Sequence, residues 1–334
     1  MITKGRILTG HRPTGPRHIG HLVGTLENWA RLQDSYDCYF LIADLHVLTT
    51  DFEHPERIQG NTLEVLADWL AVGIDPQRAR IVLQSAIPEH AELSLLLGML
   101  ATVARLTRVP TYKEQAQALH IKPSLGLLCY PVLQSADILL YMADTVPVGE
   151  DQLPHLELSR ELARRFNQIY GQTFPEPQPL LSRTPRLPGT DNRTMHTSYG
   201  NTIALRDTPE ETTRKIMNMY TDPARIHASD PGHVEGNPVF EYHDAFNPNK
   251  EDVKEYKERY RNGKIGDVEL KRCLAQVLNE YLAPIRRRRE DLIARPGTLI
   301  EILRAGTQSA RPVAQETMEI AKSKLGLHLA VPVA

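Results

Sequence analysis

The chain has 334 residues, enough for roughly two domains and a core that needs no covalent staples. Hydrophobic residues make up 41% and charged residues 24%, with 20 Gly and 24 Pro, which excludes a disordered, collagenous or coiled-coil chain as the main theme. Lys and Arg number 39 against 41 Asp and Glu, a net charge of -2, so no global basic field points to DNA or an acidic membrane, and a polyanion partner would need a local patch.

In chain order, residues 6–9 read as a strand, and Ile19, Leu22, Val23, Leu26 and Ala30 follow at helical spacing. Residues 38–43 form a continuous apolar run of the kind found in strands covered on both faces. Ile58, Thr62, Val65, Leu66, Trp69 and Leu70 restore the helical period, then come a strand at 80–84 and a helix near 91–103. This order predicts an α/β fold with a doubly wound parallel sheet, whose ligands sit at the carboxyl ends of the strands. A second unit has a helix over 134–143, a strand over 145–148 and a helix over 152–170. Residues 173–193 carry five prolines and no sustained period, which reads as a connecting loop. Beyond it the signals are helical only. Thr208-Pro209-Glu210-Glu211 combines an N-cap, a proline at the first helical position and a capping box. Further helices fit 250–261, 268–293 with a kink at Pro284, 299–305 and 313–325, with Gly263, Gly306 and Gly326 as stops. Cys38, Cys129 and Cys273 are far apart and unpaired by any C-x-x-C spacing, so neither a disulfide framework nor a cysteine metal site is expected. The start lacks an apolar secretion core, and the most apolar stretch, 93–106, is broken by Gly98, Thr102 and Arg105. A cytoplasmic protein without membrane insertion is the expectation.

His18-Ile19-Gly20-His21 lies where a strand and a Gly/Pro-rich loop feed a helix N-terminus, a place where backbone N–H groups and the helix dipole favour anions. His18 and His21 share a helical face and can donate to phosphate oxygens, while Gly20 leaves room for a flat ring. A capped helix with two surface histidines, in a chain with 13 of them, is the alternative. Asp137 stands among apolar residues, where a carboxylate is costly unless paired, so it is either a ligand acceptor or an N-cap or salt-bridged core residue. Gly149-Glu150-Asp151-Gln152 follows a predicted strand, where it reads as a ligand-binding turn or an acidic helix start. Arg286 to Arg289 reads equally as a solvated face or a phosphate contact, since four successive helical residues wrap the surface.

Taken together, the H-I-G-H motif, the Ala43-Asp44-Leu45-His46 segment, the run Ala136-Asp137-Ile138-Leu139-Leu140-Tyr141 and the stretch Val146 to Gln152 resemble the class I aminoacyl-tRNA synthetases, and within them the tryptophanyl enzymes. The similarity runs over nearly the whole chain. It implies a Rossmann-like catalytic domain at 1–200, an α-helical anticodon-binding domain at 201–306, and a C-terminal helix at 307–334 packing back on the catalytic domain. It further implies ATP with Mg²⁺, L-tryptophan and tRNA(Trp) as partners, and a homodimer. By this resemblance Arg12, Pro13, Thr14, Gly20 and His21 hold ATP from one side and Gly149, Glu150 and Asp151 from the other. His18, His21 and Lys113 serve the phosphates, though Lys113 alone would pass for a solvated residue. Asp137 accepts the indole N–H, with Gln134, Leu8, Gln152 and His46 completing the tryptophan pocket. A tyrosyl enzyme is the alternative, because Asp137 suits a phenol and Gln134 is similar to a tyrosyl-enzyme residue. Against it, Leu8 stands where that family places a tyrosine.

One signature is altered. The family's K-M-S-K-S loop matches Thr194-Met195-His196-Thr197-Ser198, with Tyr199-Gly200-Asn201 following, so both lysines are absent. The expectation is weak but tryptophan-specific activation, with Arg193 and His196 replacing the lost charge in part. A synthetase-like protein that binds tryptophan, tRNA or another protein without efficient aminoacylation is the second alternative.

Overall fold

A computed structural model describes residues 4–110, 112, 122–181, 187–227 and 229–327. Five parallel strands, β1 (Arg6–His11), β2 (Asp37–Ile42), β3 (Ala79–Leu83), β4 (Thr145–Val148) and β5 (Gln178–Leu181), form one sheet in the order β3-β2-β1-β4-β5. Successive side chains of a strand point to opposite faces, and the core divides accordingly. Ile7, Cys38, Phe40 and Ile42 join one apolar cluster with Trp29 and Trp69, and this cluster continues through Ile216, Phe240, Tyr242, Leu274 and Leu278 of the helical region. Leu8, Tyr39 and Leu41 face the other cluster, with Val132, Ala136 and Leu139 of the helix Leu125–Leu140. The α/β class and the sheet are therefore as the alternation of strands and helices implies.

Three local readings change. The proline-rich segment expected as a loop contributes β5, because Pro179 sits on an edge strand, where a missing N–H costs no ladder bond. The helix expected from 134 begins nine residues earlier, at Leu125, and accommodates Pro131. The predicted stop at Gly306 is absent, since one helix, Pro296–Lys324, runs through Gly306 and Pro312. Gly306 instead permits close packing, because a Cβ there would overlap the backbone of Ile81 in β3. Next to it, the Leu83 N–H of the β3 edge donates to Thr307 Oγ1 at 3.0 Å. The helix expected over 268–293 is present as Asp267–Ile293, with Pro284 inside it.

Two members of the arginine run, Arg286 and Arg289, are buried and paired inside the protein, while Arg287 and Arg288 are exposed. Arg286 is buried and donates to Thr212 Oγ1 and Asn279 Oδ1, and Arg288 donates to the Ala71 carbonyl. Arg289 is buried against Asp68 and Glu64 of the helix Glu56–Val72. At a spacing of three, residues 286 and 289 share the inward face of their helix, which one-dimensional charge counting cannot reveal.

Candidate active site

The strand order reverses at β1, which has β2 on one side and β4 on the other, so a crevice opens beyond the carboxyl ends of β1 and β4. His11 ends one strand and Val148 the other, which brings the segments 12–21 and 149–152 to this place.

After β1 the chain turns through Arg12, Pro13 and Thr14, with Arg12 donating to Thr50 Oγ1 at 3.2 Å and Pro13 buried. His18 is in extended conformation at the start of the helix, and its backbone N–H donates to His21 Nδ1 at 3.4 Å. A backbone N–H can only donate, so the neutral His21 ring carries its proton on Nε2, available to an anion. His18 is 8% exposed and its Nδ1 has no hydrogen-bond partner, an orphaned buried polar atom that suits an arriving phosphate. Burial, then the charge of Arg17, lowers the His18 pKa to about 4, and the same causes hold His21 well below its ordinary value. Both rings therefore act near neutral pH as uncharged hydrogen-bonding groups.

The helix after His21 opens with a π-helical turn, Leu22–Leu26, a feature that concentrates at functional sites. Within it Thr25 Oγ1 donates to the His21 carbonyl at 2.8 Å and lies 3.4 Å from His11 Nε2, while the Trp69 indole donates to His11 Nδ1 at 3.3 Å. Below the loop, the Arg17 N–H donates to Asp68 Oδ2 at 2.7 Å, so one buried carboxylate joins this turn to Arg289 of the helical region.

The second loop reaches the same place. His18 pairs with Ala204 in an antiparallel bridge, and Ile19 N–H donates to the Ile203 carbonyl at 3.0 Å. Asn201 shapes the loop by accepting from the His196 N–H at 2.9 Å and donating to the Thr194 carbonyl at 3.0 Å and to Asp191. Met195 lies over Gly20, since a Cβ on Gly20 would stand 2.8 Å from its sulfur, so the space expected for a flat ring holds this thioether. Thr194 and Thr197 are exposed, and Ser198 lies in the 3₁₀ turn Thr197–Tyr199. Arg193 is engaged with Asp191 at 2.6 Å, which offsets the charge expected of it.

On the opposite side, Gly149 caps the 3₁₀ turn Glu150–Gln152, which precedes the helix Leu153–Tyr170. Glu150 and Asp151 are exposed at the strand end, and Gln152 donates to Asp151 Oδ2 at 3.1 Å. Lys113 lies outside the described residues.

Asp137 is 3% exposed in the helix Leu125–Leu140. Its Oδ2 accepts from His46 Nε2 at 2.9 Å and its Oδ1 from His90 Nδ1 at 2.6 Å, and Gln84 Nε2 reaches both oxygens at 2.8 and 2.9 Å. Burial opposes its ionisation, but the hydrogen bonds from His46 and His90 outweigh burial and hold the carboxyl well below the usual carboxylate range. Leu8 lies in the buried cluster of this same face, and Gln134 is half-buried three residues before Asp137 on the same helix side. Gln84 and His90 escaped the sequence reading. The signal for Gln84 was present: a polar residue closing an apolar strand, at the carboxyl end where ligands gather.

The histidines also set a pH dependence. His18 and His155 are lowered to about 4 by burial, and His11 and His21 shift in the same direction. The unfolded chain takes up protons near the ordinary histidine value while the native chain resists them, so stability is full above about pH 6.5 and falls as the pH drops toward 4. Urea unfolding at pH 7.5 and pH 5 is expected to give a lower midpoint at pH 5. Equal midpoints would contradict neutral, buried histidines.

The family model of tRNA synthetases class I (W and Y) matches residues 3–283. The chain is 51% identical to a tryptophan–tRNA ligase of Chlamydia caviae, with 98% of this chain and 97% of the relative covered. It is 47% identical to a tryptophan–tRNA ligase of Thermotoga maritima, over 96% of this chain and 99% of the relative. A crystal structure of tryptophanyl-tRNA synthetase from Campylobacter jejuni complexed with ADP and tryptophan superposes with a TM-score of 0.87, at 33% identity over 96% of this chain and 99% of that one.

Proposed function

The chain belongs to the class I tRNA synthetases of the tryptophan and tyrosine group, and from that premise we propose that the crevice between β1 and β4 is where it joins an amino acid to ATP. Its activity is the ATP-dependent ligation of tryptophan to tRNA. The observation that carries the amino-acid pocket is the buried, ionised Asp137, an acceptor with no donor capacity, which suits an indole N–H, a donor with no acceptor capacity. Leu8 supports tryptophan over tyrosine, because its side chain cannot hydrogen-bond a phenol.

In the reaction a tryptophan carboxylate oxygen attacks the α-phosphorus in line, the new P–O bond forms as the α,β bond breaks, and pyrophosphate leaves. A terminal ribose hydroxyl of tRNA then takes the acyl group and AMP departs. We assign His21 Nε2–H and the unpartnered His18 to the phosphate oxygens, Gly149 to Asp151 to the far side of the nucleotide, and His46, Gln134 and Gln152 to the amino-acid pocket. Mg²⁺, by this reading, is carried by the triphosphate and offsets its charge, in keeping with an ion that retains most of its waters. Among the described residues no helix is long and apolar enough to cross a membrane. A cytoplasmic homodimer completes the proposal, with the exposed Leu95, Met99, Val103 and Leu125 as apolar side chains for a partner copy to cover. The helical region after residue 200 is proposed to take the anticodon.

Exchange of pyrophosphate into ATP, measured with each amino acid in turn, tests the reading. Exchange that depends on tryptophan is expected; dependence on tyrosine would favour the tyrosyl alternative, and no exchange with any amino acid would favour a binding protein. His21→Ala is expected to slow tryptophan-dependent exchange by about 10²-fold while equilibrium dialysis shows tryptophan binding nearly intact. The reverse pattern would remove His21 from the phosphate site.

A further inference from the structure

Asp137 has three nitrogen donors on a single carboxylate, and they are not equally placed. His46 is 6% exposed, whereas Gln84 and His90 are fully buried. Each buried donor is itself held in one orientation. The Leu45 N–H donates to Gln84 Oε1 at 3.1 Å, so the amide can turn only its NH₂ toward Asp137. The same contact ties Gln84 to the turn Asp44–Val47 that carries His46, and Asp44 returns the tie by accepting from the Ser85 N–H at 2.9 Å. His90 Nδ1 meets the carboxylate, and its Nε2 is paired with the Tyr141 hydroxyl at 2.8 Å, so the ring is held at both nitrogens. Tyr141 stacks on Tyr39 with ring centroids 4.7 Å apart, and its carbonyl accepts from Arg6 at 2.8 Å.

Taking a carboxylate out of water costs several kcal/mol, and if Asp137 served packing alone an apolar residue of similar volume would do as well. A carboxylate kept ionised and fixed in its plane by two immobile donors is instead an acceptor of set direction. We infer that Gln84, His90 and Tyr141 are positioning residues for selectivity: Gln84 and His90 lock the Asp137 carboxylate from its buried side so that Oδ2, where the less buried His46 is the donor that gives way, meets an indole N–H, and the Tyr141 hydroxyl, paired with His90 Nε2, holds the His90 ring in that orientation. The inference rests on the tryptophan-activating reading above and deepens it.

A ligand that keeps the shape of tryptophan but lacks the donor separates positioning from general support. In 3-benzothienylalanine a sulfur replaces the indole N–H. The ratio of kcat/KM for tryptophan to that for this analogue is measured by pyrophosphate exchange with the full-length chain. His90→Phe keeps a ring but loses the donor, and is expected to reduce the ratio by about tenfold through a higher KM for tryptophan, with KM for ATP changed less than about twofold. His90→Asn retains an N–H near the Nδ1 position and is expected to restore the ratio to within about threefold of the parent value. Gln84→Met should act as His90→Phe does. If His90→Phe fails to fold, Tyr141→Phe, which removes only a hydroxyl, decides the matter with an expected fall of about threefold. A parent chain that activates no tryptophan overturns the functional reading. A parent chain that does so, alongside folded variants with an unchanged ratio, overturns this inference alone.

Discussion

Asp137→Asn is expected to lower kcat/KM for tryptophan by an amount equivalent to about 2 to 4 kcal/mol, roughly 30-fold to 1,000-fold, while KM for ATP stays close to the parent value. The carboxylate accepts on both oxygens, from His46 on one, His90 on the other and Gln84 on both. An amide has one accepting oxygen. Whichever way it turns, its NH₂ faces at least one buried N–H donor, and the oxygen offered to the ligand no longer carries charge. Steady-state pyrophosphate exchange at varied tryptophan and varied ATP checks the result, and an unchanged kcat/KM for tryptophan would take Asp137 out of the selectivity site.

The second large effect runs in the opposite direction. Thr194→Lys combined with Thr197→Lys is expected to raise kcat for tryptophan activation by about 10-fold to 100-fold with little change in KM for tryptophan. A cation beside departing pyrophosphate offsets charge that develops in the transition state, and removal of single groups of that kind costs about 2.7 to 4 kcal/mol elsewhere. Thr194 and Thr197 are both exposed, so longer side chains fit, and the native Arg193 is already occupied by Asp191. The loop also stands beside His18 and Gly20, the groups proposed to meet the phosphates, so a lysine ammonium there would lie near them. Single-turnover formation of the adenylate measures the step directly. A parent chain with rapid activation that the double substitution slows would mean that other groups have taken over the role of the lysines.

The strands around the crevice could be read from the sequence because a buried parallel strand is a short apolar run, and β1, β2 and β4 are such runs. The turn proposed to bind ATP was locally legible as a structure for the same reason: strand, Gly/Pro loop and helix start occupy adjacent residues. What escaped was set by contacts distant in the chain. Gln84 and His90 meet Asp137 across 53 and 47 residues; the strand-end position of Gln84 was a local signal, but nothing local told that it and His90 would converge on one carboxylate. Gly306 looked like a helix stop because glycine usually is one, whereas its role is to let a helix approach Ile81. Arg286 and Arg289 looked like surface charge for want of knowing that Asp68, Glu64 and Thr212 would lie opposite. β5 was hidden by prolines that only an edge position tolerates.

The long last helix has a consequence beyond its packing. β3 is a terminal strand, and the 296–324 helix lies on it, with Thr307 accepting the Leu83 N–H and Arg311 donating to the Ala86 carbonyl at 2.6 Å. Without that cover, an apolar strand would present free backbone groups, a template on which another chain can add by strand pairing. A product shortened before residue 306 would therefore be lost to self-association instead of persisting as a smaller catalyst. The helix farthest along the chain from the chemistry thus shields the edge of the sheet from pairing with another strand.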